Sequence, residues 1–215
     1  RQFLPISAFV VLFGLAFGLA ATQTGLSTET SLVMSALVFA GASQFAALDM
    51  WGTHIPLVPL ALTVFAINAR HLLMGATLAP CLSHLPLPKA LGALFFMCDE
   101  SWAMGLADAR QRGGFSLCYF MGVSLSLWIT WVTFTSLGTQ IGPLLGDLRS
   151  YGFDMAFAAV FLVLLKGLWK GVHAALPWLF SLFTAALFYL LIPGGWYVLA
   201  GTVAGLVTAY LWAKP

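Results

Sequence analysis

Residues 65–76 read FAINARHLLMGA. Phe, Ala, Ile, Leu and Met suit an apolar helix; Asn68, Arg70 and His71 do not. The solvent around this run decides how the chain folds. Of the 215 residues, 61% are hydrophobic and only 7% are charged, against about 25% charged in soluble domains. A soluble protein so poor in charge could not cover its surface. The expected fold class is an all-α, polytopic transmembrane helical bundle.

A crossing helix needs about 20 mostly apolar residues. Working outward from 65–76, the candidate runs are 3–21, 32–49, 55–78, 88–108, 115–140, 153–169, 173–192 and 194–213, an expectation of seven to eight spans. The last two are divided by Ile192-Pro193-Gly194-Gly195, a tight-turn signal. The second is short and rich in small residues, a candidate for a broken or re-entrant helix near Gly41–Gln44. Phe3–Ala21 is too long for a signal-peptide core and reads as the first span. The chain opens on Arg1 rather than Met, so further residues are expected before it. Every linker is short, so 1–215 reads as a single integral membrane domain.

With a cytoplasmic N-terminus, the inner side holds Arg1, Arg110, Arg112, Lys166, Lys170 and Lys214, and the outer side Lys89 and Arg149. That bias favours both termini inside. The net charge of +2 is dispersed, and no basic patch points to a nucleic-acid partner. Cys81, Cys98 and Cys118 are odd in number and far apart, with no metal or haem spacing. No cofactor is expected.

Charge at membrane depth costs roughly 2.5–3.5 kcal/mol per residue on insertion scales. Three polar groups bear such costs: Gln44; Asn68, Arg70 and His71; and Asp99 with Glu100. Helix rise places Arg70, Asp99 and Gln44 about 12, 16 and 20 Å below the outer ends of consecutive spans, near mid-membrane. Arg70 can then reach Asp99 or Glu100 across an antiparallel pair, which removes the penalty of an unpaired charge. The two acids point about 100° apart, so they cannot face Arg70 equally. Each residue also has a purely structural reading: Asn68 and Gln44 as interhelical hydrogen-bond glue, His71 as a satisfied interface histidine, the ion pair as a scaffold. Asp154 reads as an N-cap; Trp102, Trp128, Trp131, Trp178 and Trp196 read as interface anchors or packing residues. Gly41-Ala42-Ser43 either marks close helix packing or, in a broken helix, bares backbone N–H groups to an anion.

GASQF (41–45), INARHLLMGATLAP (67–80), DESWAMGLA (99–107) and GFDMAFAAVFLVLL (152–165) resemble the AzlC family, the large subunit of bacterial branched-chain amino acid exporters. The resemblance runs in order from about Phe3 to Leu165 and more loosely to the C-terminus. It implies an inner-membrane permease exporting valine, leucine, isoleucine and sometimes methionine, driven by the proton gradient. It also implies a small hydrophobic AzlD-type membrane subunit as partner.

A zwitterion needs a cation or helix N-terminus for its carboxylate, and a carboxylate or carbonyls for its ammonium. Arg70 with the backbone of Gly41, Ser43 and Gln44, and Asn68 beside them, is the expected carboxylate site. Asp99 or Glu100 would take the ammonium, and Phe45, Phe65, Phe95 and Phe96 would form an apolar wall. An acid that alternates between buried and Arg-paired surroundings can carry a proton. Asp99 and Glu100, with His71 as relay, are the expected coupling residues. Two other classes compete. An intramembrane enzyme would need a nucleophile or metal set, and no HExxH or GxSG is present. A channel-like or structural subunit would favour a filter repeat or a ring of like charge, and one Arg beside two acids is neither.

Overall fold

The computed structural model describes residues 3–52, 55–145, 171, 175–192 and 196–212. These residues are helices and short connections, with no strand among them. The helices are α1 (Phe3–Gln23), α2 (Thr28–Val38), α3 (Gly41–Asp49), α4 (Leu57–Leu82), α5 (Leu87–Phe95), α6 (Asp99–Arg112), α7 (Leu117–Leu145), α8 (Leu176–Leu191) and α9 (Trp196–Trp212). Three of them, α1, α4 and α7, are long and apolar enough to cross a membrane unbroken. The expected run 153–169, with Asp154, lies outside the described residues, as do residues 193–195 of the expected turn.

The second run is broken, as its small residues suggested, but the break falls at Phe39–Ala40. Phe39 takes a left-handed conformation (φ 43°), which a bulky residue adopts only at a cost. Gly41–Gln44 is therefore the first turn of α3, directly after the break. The fourth run differs from expectation. Instead of one helix over 88–108 there are two, separated by Phe96–Cys98. Cys98 is extended (φ −129°, ψ 172°) and forms a capping box with Ser101. Asp99 and Glu100 occupy the first turn of α6, where the helix dipole attracts negative side chains. An acid pair followed by Ser is a helix-start signal. It was legible in the sequence, but the surrounding apolar run masked it.

The described chain divides into two compact units. One holds Arg1–Gln44 and Asn68–Gly146, the other Phe45–Ile67 and Asp147–Pro215; α3 and α4 contribute to both. In the first unit, α1 packs on α7 through glycines. A Cβ on Gly18 would run into the backbone of Thr135, Gly138 and Thr139, and one on Gly138 into that of Leu15, Gly18 and Leu19. Close backbone approach of this kind drives helix association where lipid leaves little hydrophobic force. Beside it, Phe17 stacks on Trp131 and Phe13 meets the same ring at a tilt. Elsewhere in this unit Met74, Leu78 and Leu82 of α4 pack with Ala93 of α5, Met97, and Phe120 of α7. In the second unit, α8 and α9 meet through Gly201 and Gly205 against Ser181. There the Tyr197 hydroxyl donates to the Asp49 carboxylate.

Candidate functional site

Helix α4 is 26 residues long and unbroken, with Arg70 at its centre. The first turns of the two interrupted helices meet it there. From α6, the first residue, Asp99, pairs with Arg70, Nη1 to Oδ2 at 2.6 Å. From α3, the Ser43 hydroxyl lies 3.2 Å from Asn68 Oδ1. It also lies 3.0 Å from the Ala40 carbonyl. One hydroxyl proton cannot fully serve both acceptors. With the Asn68 amide turned end for end, Ser43 donates to Ala40 and accepts from Asn68, which satisfies all three groups. Asn68 and Arg70 thus join two helix starts to one turn of α4. The first turn of any helix leaves backbone N–H groups without an intrahelical acceptor, so this junction is rich in donors.

The ion pair is open rather than sealed. The Arg70 and Asp99 side chains are 44% and 43% exposed, so one face of the pair is open to a third group. Glu100 points about 100° further round α6 and is partly buried, as is His71. Phe95 and Phe96 stand edge to face at the α5–α6 break, with centroids 5.0 Å apart. Phe96 also meets Trp128 edge to face at 5.6 Å. Of the other expected wall residues, Phe45 is buried and Phe65 exposed, and both belong to the second unit.

Gly41 and Gln44 turn elsewhere. A Cβ at Gly41 would lie 2.9 Å from Phe13 and 3.2 Å from Trp131, so close packing accounts for this glycine. Gln44 is fully buried; its Nε2 donates to Ser35 Oγ at 3.1 Å. The Ser35 hydroxyl is 3.4 Å from Thr135 Oγ1. The Gln44 Oε1 has no hydrogen-bond partner among the described residues. Leaving a buried acceptor unpaired costs about 1–3 kcal/mol. Gln44→Met, similar in length and apolar, is therefore expected to keep or raise the melting temperature in detergent. A marked fall would show that Oε1 has a partner that stabilises the fold.

Two indole hydrogen bonds tie the site to its surroundings. The Trp102 indole N–H donates to Thr77 Oγ1 at 2.7 Å, and the Trp128 indole N–H donates to the Ala36 carbonyl in the last turn of α2 at 3.0 Å. An indole and a threonine in an apolar run carry no mark of pairing, so no sequence signal exposed either bond.

The model of the AzlC protein family matches residues 5–145. The chain belongs to the AzlC family. This stretch includes every helix that builds the junction, α3, α4 and α6 among them. The AzlC-family chain is 33% identical over 162 residues to the inner membrane protein YgaZ of Escherichia coli (strain K12), a match covering 74% of this chain and 64% of that protein. It is 30% identical over 171 residues to the branched-chain amino acid transport protein AzlC of Bacillus subtilis (strain 168), covering 77% and 65%. An uncharacterized membrane protein of Archaeoglobus fulgidus is 30% identical over 171 residues, covering 79% and 74%. The chain thus spans just under two thirds of the length of the first two relatives. No solved structure matches it. The composition, the long apolar helices and the naming of these relatives agree on an integral membrane protein.

Proposed function

We propose that this protein is a secondary transporter that exports branched-chain amino acids (valine, leucine, isoleucine) across the bacterial inner membrane, with both termini cytoplasmic. It acts as the large subunit of a two-subunit exporter, with a small hydrophobic AzlD-type partner. One observation carries the reading: two interrupted helices set their first turns against the Asn68–Arg70 turn of α4. In membrane transporters, half-helix N-termini near the midplane receive anionic groups of the cargo. The relatives' names, branched-chain amino acid transport protein and inner membrane protein, support this cargo class and this membrane.

The cargo carboxylate lies against Arg70, Asn68 and the backbone of the first turn of α3, Gly41–Gln44, while the Gln44 side chain faces Ser35. Its ammonium lies against Asp99 or Glu100. Its side chain faces Phe95 and Phe96. A free amino acid offers both charges at once and can exchange with the Arg70–Asp99 pair without stranding either. A simple amine or carboxylic acid would leave one partner unpaired. Asp99 and Glu100, with His71 as relay, carry the coupled proton. The test is counterflow of labelled leucine in proteoliposomes, with and without the small partner. Saturable exchange is expected, inhibited by unlabelled valine or isoleucine but not by isobutylamine or isovalerate. A linear, unsaturable flux would replace the carrier with a channel, and lipid or peptide turnover without flux would make the protein an enzyme.

A further inference from the structure

The ion pair is closed at 2.6 Å, so nothing fits between its members. A bound zwitterion must make its own ionic contacts to each, at about 2.8 Å, so the two side chains have to part by several ångströms. The bond from Trp102 to Thr77, at 2.7 Å, is a second polar tie between α6 and α4.

Thr77 follows Arg70 by seven residues, two turns along the same face of α4, and Trp102 follows Asp99 by three along α6. The ion pair and the Trp102–Thr77 bond therefore lie along one seam. The direction of the bond is fixed. The Thr77 hydroxyl donates to the Met74 carbonyl at 2.7 Å, which leaves its oxygen to accept, and an indole N–H can only donate. The Trp102 ring packs on the cluster of Met74, Leu78, Ala93, Met97 and Phe120, so the donor is anchored in apolar packing that opening the ion pair leaves in place. Between the two ties, Ser101 caps α6 by bonding the Cys98 backbone N–H at 3.0 Å, so the first turn moves as one piece.

We propose that Trp102, with Thr77 as its acceptor, is a positioning residue of the cargo site: it keeps the acidic first turn of α6 in place when cargo splits the Arg70–Asp99 pair. The proposal rests on the transport reading above. Trp102 itself does not touch cargo; it fixes where Asp99 waits for the ammonium group.

The test pairs a transport measurement with one that does not depend on transport. Trp102→Phe keeps a packing ring and removes the N–H. In leucine counterflow, its KM is expected to rise about fivefold, the factor that one neutral hydrogen bond carries, with maximal rate retained. Thr77→Val should give the same rise, and the double variant no more than either alone. In a Cys81→Ser, Cys118→Ser background, the thiol of Cys98 at the α6 cap should react several-fold faster with a maleimide once Trp102 is Phe. Unchanged KM together with unchanged Cys98 labelling in both single variants overturns the proposal. So do additive effects in the double variant, or a fall in maximal rate at constant KM. If the parent protein shows no leucine exchange, the transport reading fails, and with it the assignment of Trp102 to a cargo site. The labelling result then reports separately whether the tether holds the α6 start.

Discussion

Arg70→Ala and Asp99→Asn are each expected to cut leucine exchange by about 100-fold or more, while the protein still inserts and melts within a few degrees of the parent. The separation of the two effects follows from the geometry. Each side chain is a little under half exposed, so the partner left behind in either variant faces an opening rather than a sealed core, which limits the cost to folding. In the proposed function the same groups each hold one charge of the cargo, and truncating one member of a hydrogen-bonded charge pair at a binding site costs about 2–5 kcal/mol. Exchanging the charges, Arg70→Asp with Asp99→Arg, sharpens the test. The exchange restores a pair, so stability should stay near the parent's. It also places a cation at the start of α6, against the helix dipole, and so should leave exchange abolished. Full exchange by both single variants would remove the cargo site from this junction. Recovery of exchange by the swapped protein would reduce the pair to a scaffold.

Gly18→Ala is expected to cause the largest loss of stability from a single added methyl group, about 3 kcal/mol. At the soluble-protein scaling that is a melting point lower by about 6–12 °C. The new Cβ meets backbone atoms of Thr135, Gly138 and Thr139, and backbone cannot swing aside as a side-chain tip can. Gly138→Ala should behave alike, since it meets the α1 backbone from the other side. Gly92 and Gly122 are the internal controls. Both lie inside helices with nothing within 4 Å of a new Cβ, so Ala there should be neutral or gain about 0.5–1 kcal/mol. Thermal unfolding of the four purified variants in one detergent decides the matter. Equal melting points across the set would mean that α1 and α7 do not cross as described.

Composition alone fixed the class of this protein. With so few charges, only a bilayer could be the surrounding solvent, and the length of the apolar runs then set the helices. The cost of charge at depth is enough, from the sequence alone, to point Arg70 to an acid near residue 99, because pairing lowers that cost for both. The same reasoning could not choose between Asp99 and Glu100. That choice depends on the break at Phe96–Cys98, which starts α6 at Asp99 and aims the first acid at α4. Nor could hydropathy show this break, since Phe96, Met97 and Cys98 are as apolar as the helices beside them. Gly14 and Gly18, and likewise Gly138 and Gly142, are spaced for close packing, but spacing names a surface and not its partner. Gln44 looked like a cargo ligand by depth, and its neighbours turned it toward Ser35. Hydropathy and charge act on each segment against its solvent, so they can be read along the chain. Which side chain meets which depends on how helices cross, and only the packed structure contains that.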